Sequence, residues 1–389
     1  MTPQARVQTT IELLDSTIAS VQRNGAAADQ IIADGFKSRR YAGSRDRRAI
    51  RDMIYQVIRA YGSAPVSGRA AVQGLGMEYA AFFDGSPYGP AALTHYDMPA
   101  LAMPLPEWLS ALIPPLEQQA LLQRAPLDLR VNTLKTDIET ALACFPGAKR
   151  IGQRGLRLAD NRAIEQSDAW RDGWVDIQDY GSQYIAQVCV AQPGQTVVDL
   201  CAGAGGKALA LAANMENQGR LIACDIDRAR LARLRPRAHR LGAAMIESRL
   251  LFAPHEQENL ADLHQKADVV LVDAPCSGTG TWRRNPEARW RLSPERLEKL
   301  IASQRNILSL GATLVRPGGS LIYAVCSLIE AEGEAQCLAF LLENQDWTSA
   351  PLTADIGRIQ GPGLILSPAH DGCDGFFVAR LMRRNDDSI

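Results

Sequence analysis

The sequence predicts an α/β chain, a doubly wound parallel sheet with a small mixed α/β segment and a helical unit ahead of it. From Gln192 onward, apolar runs of strand length alternate with helical stretches; such alternation implies parallel strands, because each crossover between them is usually a helix. Between Val7 and Tyr61, apolar residues instead recur three and four apart, the signature of amphipathic helices. With 389 residues, 46% apolar and 22% charged, the chain has material for two or three domains. That composition excludes wholesale disorder, collagen and a disulfide-stapled miniprotein.

The helical series are Val7, Ile11, Leu14, Ile18, Val21 and then Ile50, Met53, Ile54, Val57, Ile58, Tyr61. Gly62 to Pro106 is rich in Gly, Ala and Pro, which suits short helices and loops and closes a helical unit over 1–106. A mixed segment of short strands and helices follows over 107–180, containing DLRVNTLK (128–135) and GWVDIQDYGSQ (173–183). The remainder, 181–389, reads as the sheet domain. Its elements are the strand TVVDLC, a turn at Gly203–Gly206, a helix over Lys207–Met215, the strand RLIACD and an Arg-rich helix from Arg228. Then come the strand DVVLVD (268–273), a helix near Leu300–Leu314 and the strand SLIYAV (320–325).

Lys plus Arg (42) nearly balances Asp plus Glu (43), so any attraction for nucleic acid must be local. Lys37, Arg39, Arg40, Arg45, Arg47 and Arg48, with Tyr41 interleaved, form one candidate RNA patch between the two helical series. Eight cysteines without CxxC or finger spacing suggest reduced cytosolic thiols and no metal. The N-terminus has no signal-like apolar run, and no uncharged stretch is long enough to span a bilayer. The expected setting is cytoplasmic, without membrane attachment.

In DLCAGAGGK (199–207) a strand runs into glycines and then a helix, which lets a ligand approach the backbone closely at the carboxyl edge of the sheet. A phosphate-cradling loop would need glycine at Cys201 and Ser or Thr at Ala208, so that reading fails. A dinucleotide fingerprint can be laid on Gly203, Gly205 and Ala208, with Asp225 about 20 residues further on. Asp199 at the strand end disfavours an anionic pyrophosphate and favours a cationic sulfonium, pointing to S-adenosylmethionine over NAD.

Asp273, Pro275 and Cys276 follow one strand, and Cys326 ends the next in GGSLIYAVCSL (318–328). Two thiols and a carboxylate therefore converge on the cofactor crevice, although burial as inert core is the ordinary fate of a cysteine. A matching chemistry is methylation of cytosine carbon 5. A thiolate adds to carbon 6 and makes carbon 5 nucleophilic, a second group assists elimination, and a carboxylic acid near ring nitrogen 3 stabilises the developing charge.

With DLCAGAGGK, DAPCSGTGTWRRNPE (273–287), YAVCSL and DGFFVARL (374–381) in that order, behind RVNTLK and QDYGSQ, the sequence resembles the RsmB/Nop/Sun-type RNA (cytosine-5)-methyltransferases. The resemblance spans about 125–385 and is closest to the bacterial RsmB-like rRNA enzymes; SRDRRAIRDMIYQVIRAYG (44–62) more loosely resembles their NusB-like RNA-binding extension. It implies a Rossmann-like S-adenosylmethionine-dependent methyltransferase domain, with Cys201, Ala202, Gly203, Ala204, Gly205, Gly206, Lys207 and Asp225 lining the cofactor pocket and Asp273 at its floor. It further implies Cys326 as nucleophile, Cys276 as the residue assisting release, and Asp273 and Lys207 beside them. ESRLLFAPHEQ (247–257) offers no aspartate where family members bind the adenine side.

Arginine interleaved with aromatics suits phosphate contact and base stacking. Arg283, Arg284, Arg289 and Arg291 with Trp282 and Trp290 are accordingly expected to flank a flipped-out base. The six arginines from Arg228 to Arg240 read in large part as a solvated helix face. The expected function is methylation of a cytosine in RNA, with rRNA as partner and the chain acting as a monomer. A tRNA or DNA cytosine-5 methyltransferase stays open as an alternative, the DNA enzyme using Pro275-Cys276, as does a non-catalytic rRNA-binding assembly protein.

Overall fold

The computed structural model describes residues 1–23, 25–159, 163–352 and 356–385. The chain divides into two units, Met1–Arg124 with Thr281–Pro294, and Ala125–Gly280 with Glu295–Ile389.

The first unit is helical. Both apolar series fold as expected: helix Pro3–Gln22 buries Val7, Ile11, Leu14, Ile18 and Val21, and helix Ser44–Ala60 buries Ile50, Ile54, Val57 and Ile58. Helices Ala28–Ser38 and Gly68–Gln73 complete this core with Ile32, Phe36, Ala71 and Val72.

Residues 281–294 belong to the same unit, and here the structure overturns an expectation. Trp282 and Arg289 are fully buried, and Arg283 and Trp290 are buried as well. Arg289 donates to Pro104 O (2.7 Å) and Ile58 O (2.8 Å), while Trp290 Nε1 donates to Tyr61 O (2.6 Å). Arg291 reaches the carbonyls of Gly25 and Ala26, and the Glu287 carboxylate accepts from Ala28 N. The bonds to Ile58 O and Tyr61 O satisfy carbonyls at the end of helix Ser44–Ala60, where the Arg289 guanidinium also meets the negative end of the helix dipole; Glu287 caps the start of Ala28–Ser38. Arg289, Trp282 and Trp290 are therefore helix-end partners and core, not a base-stacking surface.

The second unit holds two sheets. The smaller has β1 (Leu127–Val131), β2 (Lys149–Ile151), β3 (Gly155–Leu158) and β4 (Val175–Ile177) in the antiparallel order β2-β3-β1-β4. The larger begins with the parallel strands β5 (Thr196–Asp199), β6 (Arg220–Asp225), β7 (Ile246–Leu250), β8 (Ala267–Asp273) and β9 (Val315–Val325). Their order is β7-β6-β5-β8-β9, so the connection reverses direction beside β5. Ligands bind such sheets at the carboxyl ends of the strands around that switch point.

Beyond the doubly wound parallel strands that the sequence predicts, the sheet continues antiparallel at the C-terminus. Strands β10 (Trp347–Ala350), β11 (Arg358–Gln360), β12 (Gly363–Leu366) and β13 (Phe376–Arg383) pair antiparallel, and β13 lies directly against β9. Strands β11 and β12 are joined by a tight hairpin, which only antiparallel neighbours permit. The Arg-rich stretch is two helices, Arg228–Ala232 and Leu234–Leu241. Arg228, Arg230, Arg233 and Arg235 are exposed as expected, whereas Arg237 and Arg240 bind the buried Asp176.

Candidate active site

Asp199 ends β5, Asp225 ends β6 and Asp273 ends β8, so three carboxylates reach the switch-point edge of the sheet. The turn after β5 needs its glycines: Gly203 and Gly205 have φ of 57° and 83°, and a Cβ on Gly205 would lie 2.1 Å from the Leu234 side chain. Asp225 fastens this turn, accepting from Gly203 N and Asp227 N, each at 2.7 Å. Arg237 donates to Ala204 O (2.7 Å) and also pairs with Asp176 (2.6 Å).

The motifs ahead of the sheet support the same turn. Gln178 of QDYGSQ accepts from Arg130 of RVNTLK (2.7 Å) and donates to Gly206 O (3.2 Å). Asp179 caps helix Tyr180–Val188 and accepts from Asp374 N of DGFFVARL (3.0 Å). In that last motif Gly375 packs on Gly280, where a Cβ at Gly280 would come within 2.0 Å of the Gly375 carbonyl oxygen.

Asp199 is fully buried, and neither of its carboxylate oxygens has a hydrogen-bond partner among the described residues. Burial first, then the charge of Asp273, push its carboxyl up to about 7. An orphaned buried carboxylate of this kind fits a cationic ligand. Asp225 keeps lone pairs for ribose hydroxyls, and S-adenosylmethionine carries both groups. Ile226 and Phe252, just beyond the paired ends of β6 and β7, are 65% and 54% exposed.

Lys207, on helix Gly206–Asn214, donates to Asp273 Oδ2 at 2.6 Å and lies over the Phe376 ring at 5.3 Å. Burial pulls its ammonium down, but the Asp273 carboxylate more than offsets this and the net shift is upward. Cys276 and Cys326, both half-buried, place their sulfurs 3.3 Å apart. The Cys276 thiol is pushed well up by its hydrogen bond to Cys326 and then by burial.

Sequence reasoning missed Glu332. Fully buried in the turn Glu330–Glu332, it accepts from Ser277 N (2.8 Å), Gln304 Nε2 (2.9 Å) and Ser327 Oγ (2.5 Å). Its only sequence signal is its place six residues after Cys326 in a motif otherwise read for its cysteine.

The fold around this site is that of the Rossmann-like S-adenosylmethionine-dependent methyltransferases. Over 98% of its length the chain is similar to 99% of the crystal structure of PH0851 (22% identity, TM-score 0.77). Over 69% it is similar to 90% of a methyltransferase homolog protein from Pyrococcus horikoshii (26% identity, TM-score 0.60). Residues 186–382 match the 16S rRNA methyltransferase RsmB/F family, and the chain belongs to that family.

Among its relatives is the protein named "Probable ribosomal RNA small subunit methyltransferase B" from Synechocystis sp., 36% identical over 67% of this chain and 61% of that protein. The ribosomal RNA small subunit methyltransferase B of Thermus thermophilus is 37% identical over 54% of this chain and 50% of its own length. The chain thus spans about three fifths or less of the length of these curated relatives.

Proposed function

We propose that the protein transfers a methyl group from S-adenosylmethionine to carbon 5 of a cytosine in ribosomal RNA, through a covalent bond to Cys326. The observation that carries this reading is the thiol pair at 3.3 Å, just past the ends of β8 and β9, with the Lys207–Asp273 ion pair at the end of β8. Inert core cysteines need neither a partner thiol nor a neighbouring ammonium.

When bound, the cofactor supplies an electrophilic methyl group. Asp225 would hold its ribose, Asp199 its positive charge, and Ile226 with Phe252 would flank its adenine. Cys326, with the Lys207 ammonium nearby, acts as the thiolate that adds to carbon 6. Because Asp273 is ion-paired with Lys207, the proton offered to the ring sits on Lys207, and Asp273 acts as a carboxylate that orients the base. Cys276 holds its proton beside Cys326 and assists the departure of that sulfur. The exposed Arg40, Arg45 and Arg48 with Tyr41 supply RNA contact from the helical unit.

The test is transfer of labelled methyl to 16S rRNA, tRNA and cytosine-containing DNA, followed by bisulfite sequencing. The expected result is one new bisulfite-resistant cytosine in rRNA. Label in tRNA or DNA alone would move the substrate, and label without a resistant cytosine would remove the carbon 5 chemistry.

A further inference from the structure

The geometry around Glu332 deepens the thiol reading and rests on it. Its Oε1 accepts from Ser277 N and Gln304 Nε2, its Oε2 from the hydroxyls of Ser327 and Ser277, and its backbone carbonyl from Tyr323 Oη (2.6 Å). Ser277 and Ser327 directly follow Cys276 and Cys326, and their hydroxyls lie 3.2 Å apart. Thr279 Oγ1 closes the cluster, 3.0 Å from Ser327 Oγ and accepting from Leu328 N. One buried carboxylate thus grips both thiol-bearing turns one residue beyond each sulfur.

None of these partners is a cation. A carboxylate buried among neutral donors pays a heavy desolvation penalty. The charge of Glu332 acts on Cys276.

We propose that Glu332 is a positioning residue for the thiol pair, fixing Cys276 against Cys326 and placing a negative charge on the Cys276 side, which holds the Cys276 proton facing the Cys326 sulfur. The upward push on the Cys276 thiol agrees, coming from the Cys326 hydrogen bond first, then burial, then the charges of Cys326 and Glu332. In the release step the bond between carbon 6 and Cys326 Sγ breaks and its electron pair returns to sulfur. The Cys276 S–H keeps its proton and hydrogen-bonds to that sulfur as negative charge develops on it, and the proton on carbon 5 passes to water.

The experiment has two readouts on the full chain. The first is the pH dependence of iodoacetamide alkylation at Cys276, followed by peptide mass spectrometry in a Cys326→Ala background. Adding Glu332→Gln should lower the midpoint by about one pH unit, a tenfold gain in thiolate at a given pH, and Glu332→Asp should restore it. A merely structural tie predicts no such shift. The second readout is the protein–RNA adduct on denaturing gels with both cysteines present. Glu332→Gln should raise the fraction trapped, because the Cys276 S–H is no longer fixed against the departing sulfur. Should Glu332→Gln fail to fold, Ser327→Ala loosens the grip with the charge intact, and it should raise the trapped fraction while leaving the alkylation midpoint in place. An adduct in the unmodified protein with no change in either readout overturns the proposal. A shifted midpoint with no adduct on any cytosine-containing RNA instead overturns the function reading on which the release step depends.

Discussion

Cys276 and Cys326 are fifty positions apart in the chain, yet their sulfurs stand 3.3 Å from each other. The parallel pairing of β8 and β9 brings this about, since it aligns Asp273 with Ala324 and so delivers both following turns to one edge.

The two thiols should therefore fail differently when removed. Cys326→Ala leaves no nucleophile, so neither methylated RNA nor a covalent adduct is expected. Cys276→Ala should still add to the ring and accept methyl, then stall, leaving a complex that survives denaturing electrophoresis. Retained turnover in both variants would reduce the pair to packing.

Asp225 holds the glycine turn and is the expected partner of the cofactor ribose. Asp225→Ala should weaken S-adenosylmethionine binding by roughly 1–3 kcal/mol, the range for a lost buried hydrogen-bonding group. Titration calorimetry showing unchanged affinity would contradict this assignment.

Asp199 predicts a pH signature. Its carboxyl is raised from 3.8 to about 7 by burial and by Asp273, so the folded state binds the proton more tightly than the unfolded chain. Its contribution is fully present below pH 3.8 and is lost as pH rises towards 7, so the cofactor-free protein should lose stability across that window. Cofactor affinity should move the opposite way, strengthening as the carboxylate forms. Melting curves and calorimetry between pH 5 and 8 test both trends at about half-unit steps, and Asp199→Asn should flatten them.

Asp176 is a buried carboxylate between Arg237 (2.6 Å) and Arg240 (2.5 Å), with Arg130 at 3.8 Å. Asp176→Ala strands these guanidiniums, and removing one partner of a buried pair costs about 3 kcal/mol or more. The change should lower the urea midpoint and, through Arg237 and Ala204, also loosen the cofactor turn. A midpoint equal to that of the unmodified protein would show that water replaces the carboxylate.

RNA affinity should respond to the exposed face of the helical unit and not to the buried tryptophans. Arg45→Ala should reduce the slope of log affinity against log salt by about one. Trp290→Ala should chiefly destabilise, by about 3–5 kcal/mol for a lost buried indole. Filter binding over a salt series together with thermal melts separates the two.

Much of this protein was readable because it is local. The amphipathic spacing of Val7 to Val21 fixes a helix, the apolar run ending at Asp199 fixes a strand, and the glycines that follow fix a turn needing positive φ. Strand–helix alternation then dictates which residues reach the carboxyl edge, so Asp199, Asp225, Asp273, Cys276 and Cys326 could be named from order alone. Tertiary structure decided what depends on partners distant in the chain. Arg289 and Trp290 look like an RNA surface until their hydrogen bonds to Ile58 and Tyr61 are seen, and Asp273 looks like a free acid until Lys207 is found beside it. Glu332 is marked in sequence only by its place six residues after Cys326, because its importance lies in the two serines it joins, and only folding sets their distance. Periodicity records which face of an element is apolar, whereas the fate of a buried charge rests on which opposite charge or donor the fold brings to it.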